Sequence, residues 1–337
     1  MTPHRSAGAR VHGGPDEQGI PLHDFSSNSN ACGPCPDALT AVQQADAGAY
    51  PDAGYSALRR QLAAFHGVDA QRVVLAASAS EFIFRITALA AQRRGSVWLP
   101  PHAYGDYAQA AQAWQLPLAG HPAQAQLRWA CEPSSPLGIA QPELEKLPGD
   151  GALCVLDRAY EPLRLGPAPA WPDGLADAFW QLWTPNKALG LTGVRAAYVI
   201  APPGEEESAS RLEQLAPSWA VGAHGVAMLQ AWTTPGAQAW LADSLDTLRT
   251  WKAQQVALCR SMGWDCAPSE ANFFCARPVL PPAMTLQQAL AALRRRGIKL
   301  RDTTSFGLPG QVRLSVAAPA AQDALQGAWH DIRGGAA

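Results

Sequence analysis

From about residue 68 onward the sequence alternates short β-rich runs with amphipathic helical stretches, and nothing else in it restricts the fold so much. The β-rich runs are "RVVLAA", "SVWLP", "LRWAC", "ALCVLD", "FWQLW" and "VRAAYVIAP"; "SEFIFRITALAAQRRG" and "YAQAAQAW" are helical stretches set among them. Strands joined through helices run parallel, and a parallel sheet needs cover on both faces. The expected fold class is therefore α/β, a mainly parallel sheet sandwiched by helices. "APPGEEESAS" reads as a loop, and beyond it the character changes to long helical sequence such as "PGAQAWLADSLDTLRTWKAQQVALCRSMG". A smaller α+β set ends the chain: "ANFFCARPV", "TLQQALAALRRRGI", "QVRLSVA" and "PAAQDALQGAWHDI". At 337 residues there is material for two cores. The expected division is a flexible polar arm over residues 1–22, an N-terminal segment over 23–45, a large domain over 46–230 and a small C-terminal domain over 231–337.

Composition removes several classes of partner. A net charge of -2 leaves no basic surplus to hold a polyphosphate backbone, so nucleic acid is not an expected partner. No apolar run approaches the ~20 residues of a membrane span, and "MTPHRSAGARVHGGPDEQG" lacks the apolar centre of a signal peptide. Seven cysteines, an odd number scattered along a long chain, suit a reducing compartment. A soluble cytoplasmic protein is expected. The histidines are dispersed without zinc-ligand spacing, so no metal is expected, and the phosphate-loop and serine-hydrolase signatures are absent.

Lysine is scarce: four, at positions 146, 187, 252 and 299, against 22 arginines. Lys187 lies in "WTPNKALGLTGVRAAYVIAP", in a connection between two apolar runs. That places it at the rim of a sheet, where partial desolvation favours the free amine that Schiff-base chemistry needs; position alone favours an ordinary loop lysine. The stretch resembles the lysine motif of fold-type I pyridoxal phosphate (PLP) enzymes, S/T-x-x-K-x-x-G-L-x-G-x-R-x-G-Y, with Thr184, Lys187, Gly190, Leu191, Gly193, Arg195 and Tyr198 in register. The resemblance implies that Lys187 carries the cofactor and that Thr184 and Arg195 bind it, Arg195 through its phosphate.

Further parts of such a site can be sought separately. "CVLDRAY" ends an apolar run on Asp157, a carboxylate that would keep the cofactor's ring nitrogen protonated; Tyr160 resembles the family tyrosine that bonds the cofactor's hydroxyl. "LAASASEFIFRI" opens a helix at Ser78 with Glu81 three residues on, so the amides of Ala79 and Ser80 would face a phosphate, although a capping box uses the same residues. "PPHAYGDY" resembles the family's P-x-Y-x-x-Y segment, which assigns ring stacking to Tyr104. "EPSSPLG" stands where relatives have N-P-N-N-P-T-G, which puts Ser135 in place of the asparagine that bonds the ring hydroxyl. "GIKLRDTTSFGLPGQVRLSVAAP" resembles the C-terminal signature of histidinol-phosphate aminotransferases and implies that Arg313 grips a substrate carboxylate and Arg301 a substrate phosphate. "YPDAGYSALRRQLAAFHGV" resembles a block whose first tyrosine, Tyr50 here, reaches the cofactor phosphate of a neighbouring subunit, so a homodimer is implied.

"NACGPCP" contains Cys-Gly-Pro-Cys, the active-site tetrapeptide of thiol-disulfide oxidoreductases. The preceding "DFSSNSN" is too polar for the buried strand such a motif follows, and the segment instead resembles the N-x-N-P-Y-G-P-S-P entrance of histidinol-phosphate aminotransferases, with Asn30 and Cys32 at the substrate mouth. Residues 23–45 are then expected near the small domain and the site entrance. The resemblance implies a PLP-dependent aminotransferase that moves an amino group between an amino acid, or a phosphorylated amine such as histidinol phosphate, and a 2-oxo acid. The alternatives are a threonine-phosphate decarboxylase-like enzyme of cobalamin synthesis and, from another class, a redox protein using Cys32 and Cys35.

Overall fold

The computed structural model describes residues 12–282 and 284–334, so the first half of the expected arm, residues 1–11, lies outside the described residues. The chain divides into two compact units. One comprises residues 29–250 and 268–272; the other comprises, of the described residues, 12–28, 251–267, 273–282 and 284–334.

The first unit is built on strands β1 (Val73–Ala76), β2 (Val97–Trp98), β3 (Leu127–Cys131), β4 (Leu153–Asp157), β5 (Trp180–Trp183) and β6 (Ala197–Ile200). They form one six-stranded sheet in the order β1-β6-β5-β4-β3-β2. β2, β3, β4 and β5 pair in parallel, while β6 lies antiparallel to both β5 and β1. The expected mainly parallel sheet is present, and β1, β3, β4, β5 and β6 are buried at every position, as a sheet covered on both faces requires. Side chains alternate between the two covers. Trp129 and Val155 join Phe82, Ile83 and Ile86 on one face, while Ala130 and Leu156 join Leu144, Leu147 and Phe179 on the other.

The helices of this unit are α1 (Pro36–Gln43), α2 (Ser56–His66), α3 (Ala79–Gln92), α4 (Gly105–Ala113), α5 (Glu206–Gln214), α6 (Ala223–Trp232) and the larger part of α7 (Pro235–Ser261). α5 corrects the reading of "APPGEEESAS" as a loop throughout. Glu206 and Glu207 lie in its first turn, where the helix N-terminus favours negative charge, and Ala209 and Leu212 are buried. The division between units falls inside α7, between Thr250 and Trp251.

Where α2 meets β6 the packing fixes a protonation state. Trp232 Nε1 donates to the Tyr198 hydroxyl at 3.0 Å, and that hydroxyl lies 2.8 Å from His66 Nε2. With its oxygen accepting from the indole, the phenol directs its hydrogen at the imidazole, which must be neutral to accept it. Burial, with the Arg158 guanidinium adding to it, lowers the His66 pKa to about 4. The folded-state value thus lies below the unfolded ~6.5, so stability is complete above pH 6.5 and falls as pH drops toward 4, with a limiting slope of ~1.4 kcal/mol per pH unit. Urea midpoints measured across that range should show a His66→Gln variant losing this one-proton slope.

The second unit carries a four-stranded antiparallel sheet of β7 (Asp265–Cys266), β8 (Phe273–Arg277), β9 (Arg301–Asp302) and β10 (Val312–Ser315) in the order β9-β10-β8-β7. Helices α8 (Leu286–Arg295) and α9 (Pro319–Gly334) cover it, with Phe25, Trp264, Phe274, Leu314 and Trp329 in the core. Of the stretch read as an arm, residues 12–22 belong to this unit. Asp16 forms ion pairs with Arg294 at 2.7 Å and Lys299 at 2.8 Å, and Lys299 also donates to the Gly14 carbonyl. His23–Asp24 then pairs in parallel with Ile298–Lys299. No helix among the described residues is long and apolar enough to cross a membrane.

Candidate active site

In the first unit, β1 to β5 (β6 excepted) point the same way, and the segments leaving their carboxyl ends carry most of the residues singled out from the sequence. β1 leads to Ser78–Ser80, β2 to Tyr104, β3 to Ser135, β4 ends on Asp157 with Tyr160 beyond, and β5 leads to Thr184 and Lys187. β6 runs the other way, so its start, just after Arg195, faces the same edge: Ala197 pairs with Ala76 and Tyr198 with Trp183. In α/β sheets this edge is where ligands are held, because strand ends and helix N-termini converge there.

Asp157 stands at the centre of the edge, paired across the sheet with Cys131 on one side and Leu182 on the other. It is 5 % exposed. Its Oδ1 accepts from the Ala159 amide at 2.9 Å and its Oδ2 from the Tyr107 hydroxyl at 2.6 Å. Burial pushes its pKa up, while the Tyr107 hydroxyl, the Ala159 amide and the Lys187 charge oppose that rise. Sequence reasoning assigned Tyr104 and passed over Tyr107. The signal available was its spacing, three residues after Tyr104 in the first turn of α4, which returns it toward the sheet.

Lys187 is half-buried, with its Nζ 5.3 Å from the centre of the Tyr160 ring. Its backbone is held by the entrance segment. The Asn30 amide donates to the Lys187 carbonyl at 2.9 Å, Asn30 Nδ2 to the Ala188 carbonyl at 3.1 Å, and the Cys35 amide to the Leu189 carbonyl at 2.8 Å. Asn30 Nδ2 also donates to Ser244 Oγ, and its Oδ1 accepts the Cys32 amide. Expected at the substrate mouth, Asn30 is 3 % exposed and its side chain is bonded within the protein. Gly190 takes φ +68°, and a Cβ there would meet the Gly33 carbonyl at 2.4 Å, so segment and lysine turn touch backbone to backbone.

Thr184 and Asn186 bond each other at 2.8 Å beside the lysine. At the start of α3, Ser78 Oγ accepts the Glu81 amide while the Glu81 carboxylate accepts the Ala77 amide and holds Arg85, so only half of a capping box forms. The amides of Ala79 and Ser80 are the first two of the helix and have no intrahelical acceptor. Ser80 Oγ lies 3.5 Å from the Tyr104 hydroxyl. Arg195 is exposed. Tyr50 is 78 % exposed and stacks on Trp219 with ring centres 4.5 Å apart. Ser135 is buried in a segment anchored by Glu132, whose carboxylate accepts from Arg164 and from the Gln141 amide.

Arg301 and Arg313 belong to the second unit, where they are direct cross-strand partners on β9 and β10. Both are buried, and both guanidinium groups lie over the Phe306 ring, at 4.9 and 5.6 Å. Arg301 donates to Ser305 Oγ and Arg313 to the Ser26 carbonyl. Burial and the neighbouring Arg313 charge lower the Arg301 pKa to about 10. Two desolvated cations side by side favour an anion with more than one oxygen.

The cysteine pair gives no support to the redox alternative. Cys35 is fully buried at the start of α1, Cys32 is half-buried with Sγ 3.7 Å from the Ser244 carbonyl, and the short strand before them, His23–Asp24, is only half-buried and is separated from Cys32 by residues 25–31, which form no strand. All seven cysteines are free thiols.

A family model described as "Aminotransferase class I and II" matches residues 20–126 and 118–328. A histidinol-phosphate aminotransferase from Akkermansia muciniphila is 28% identical over 343 aligned positions, covering 90% of this chain and 89% of that protein. Among solved structures, the histidinol-phosphate aminotransferase of Sinorhizobium meliloti in complex with pyridoxal-5'-phosphate superposes with a TM-score of 0.77 at 20% identity, covering 95% of this chain and 93% of that one. The L-threonine-O-3-phosphate decarboxylase of Porphyromonas gingivalis superposes with a TM-score of 0.76, also at 20% identity, covering 91% of this chain and 98% of that one.

Proposed function

The chain belongs to the class I and II aminotransferase family, and on that footing we propose that it is a PLP-dependent aminotransferase whose amino donor carries a second anionic group. The observation that carries the reading is the carboxyl edge of the first unit's sheet, where Lys187, Asp157, Tyr160, Tyr104 and the open helix start at Ala79–Ser80 arrive from separate strands.

The donor set fits the cofactor. Asp157 is an enclosed carboxylate that accepts one neutral donor on each oxygen, with Lys187 as the cation acting on it. A protonated ring nitrogen suits such a group as a further positive partner. Tyr104 would cover the ring, Tyr160 and Ser135 would approach its hydroxyl, and the Ala79 and Ser80 amides with Thr184 and Arg195 would take the phosphate. When bound, PLP supplies an electron sink for charge that develops at the substrate α-carbon.

Lys187 then has two tasks, to hold the cofactor and, once displaced by the substrate amine, to move the proton at the α-carbon. Arg313 holds the substrate carboxylate as a fork, which fixes the angle of the α-carbon bonds. Arg301 takes the second anionic group, a phosphate in a histidinol-phosphate-like donor. Tyr50 is exposed because it serves a second copy of the chain, where it completes the phosphate site; the enzyme is a homodimer. Free thiols throughout suit the cytoplasm.

The purified protein supplied with PLP should show a visible absorbance band. Mixing it in turn with glutamate, histidinol phosphate and threonine phosphate, while recording the band and carbon dioxide, sorts the chemistry. Bleaching without carbon dioxide supports transamination; carbon dioxide from threonine phosphate would move the chain to the decarboxylases, and a protein that stays colourless would sink the reading.

A further inference from the structure

We propose that Tyr107 is a positioning residue that fixes where the proton sits between Asp157 and the cofactor's ring nitrogen, and thereby sets the strength of the electron sink. This rests on the reading of the site given above.

Tyr107 is fully buried, and its ring stacks on Trp129 with centres 4.2 Å apart and planes 11° from parallel. Tyr104 meets it edge-on at 5.8 Å. These contacts leave the hydroxyl one orientation, against Asp157 Oδ2 at 2.6 Å. Burial and the Asp157 charge keep the phenol protonated far above its ordinary range, so it is the donor.

The consequence follows from competition for one proton. A carboxylate facing a pyridinium can leave the proton on nitrogen or take it. In a desolvated setting the second, neutral arrangement gains, because burial penalises both charges. A hydrogen bond into Oδ2 draws electron density from the carboxylate and lowers its basicity, which returns the proton to nitrogen. The other groups facing Asp157 are the Ala159 amide on Oδ1, Lys187 beyond β5 and the Cys131 thiol on β3. Cys131 is a fully buried thiol whose own pKa is pushed well up, chiefly by burial, so it adds no charge. Lys187 is committed to the cofactor and the substrate. Tyr107 is therefore the side chain that stays bonded to the carboxylate throughout turnover.

Tyr107→Phe keeps the ring on Trp129 and removes only the hydroxyl, which makes it the informative change. The holoenzyme would be loaded with PLP labelled with nitrogen-15 in the ring, and the ring-nitrogen resonance compared for wild type, Tyr107→Phe and Asp157→Asn. In wild type it should lie near the protonated value, and in Tyr107→Phe it should move toward that of neutral pyridine. kcat should fall roughly tenfold, the size of one hydrogen bond to a charged group, with KM within about twofold. The melting temperature of the cofactor-free protein should fall by several degrees at most, the cost of leaving the buried Asp157 Oδ2 without its donor. A resonance that moves in Asp157→Asn and not in Tyr107→Phe overturns the proposal while leaving the reading of the site intact. A wild type that binds no PLP, or an Asp157→Asn protein whose resonance does not move, overturns that reading and the proposal with it.

Discussion

Replacing Lys187 with alanine is expected to lower turnover at least about 10³-fold, since the proposed covalent anchor and proton carrier disappear together. The loss should have a chemical signature besides the rate. Borohydride treatment of the wild-type protein with PLP should add the cofactor's mass to the peptide carrying Lys187, and Lys187→Ala should acquire no such mass on any peptide. Small primary amines should restore part of the rate, because the shortened side chain leaves room beside the Tyr160 ring, over which Nζ stands at 5.3 Å. Lys146 supplies the control. It is exposed and ion-paired with Glu143 at 2.6 Å, so Lys146→Ala should match wild type in both rate and labelling. Wild-type turnover in Lys187→Ala would place the chemistry elsewhere.

The second large effect is on stability. Arg164 is buried and bridges two carboxylates, Glu132 and Glu270, of which Glu132 is fully enclosed. Arg164→Met keeps the length of the side chain and removes the charge. It leaves Glu132 with the Gln141 amide as its remaining partner among those described, and loss of one partner from a buried ion pair costs about 3–5 kcal/mol. The cost depends on pH. Burial already raises the Glu132 pKa, and Arg164 and the Gln141 amide oppose that rise. With Arg164 gone the folded-state value climbs further above the unfolded ~4.3, so the folded protein retains a proton that the unfolded chain releases. Stability therefore falls as pH rises past ~4.3, and the deficit against wild type should shrink in acid. Glu132→Gln in the Arg164→Met background should recover part of the loss, since a neutral amide is less costly to bury than an unpaired carboxylate. Denaturation midpoints at pH 4 and pH 7 for wild type and the two variants test this; equal deficits at both values would show that packing, not charge, is lost.

Sequence and structure agree on position where a single element fixes it: Asp157 ends the apolar run that forms β4, and Lys187 lies between the runs that form β5 and β6, while the roles assigned to both came from the resemblance to PLP-enzyme motifs. The helical stretch "PGAQAWLADSLDTLRTWKAQQVALCRSMG" appears as α7, Pro235–Ser261, with the same start and an end two residues earlier. What stayed hidden depends on pairings between distant segments. Tyr107 lies fifty positions from Asp157, and which face of α4 meets β4 is set by packing on Trp129. Arg301 and Arg313 were each singled out, but their direct opposition needed the register of β9 against β10. The acidic run Glu205–Glu207 that caps and opens α5 reads equally as a solvated loop, because charge there suits both a loop and a helix start. Asn30 was assigned to the substrate by its place in the entrance segment, whereas its side-chain bonds run to Ala188, Ser244 and Cys32.

The strap formed by residues 30–35 over the carbonyls of 187–189 bears on how this enzyme can be re-engineered. Libraries aimed at substrate preference would naturally randomise the entrance segment, leaving the lysine turn untouched as catalytic. Here the two are one mechanical part, and variation at Asn30, Gly33 or Cys35 shifts the platform from which Lys187 projects. Loop grafts from a relative should therefore carry both stretches together, with Gly33 and Gly190 exchanged as a matched pair, since a side chain on Gly190 collides with the opposing backbone.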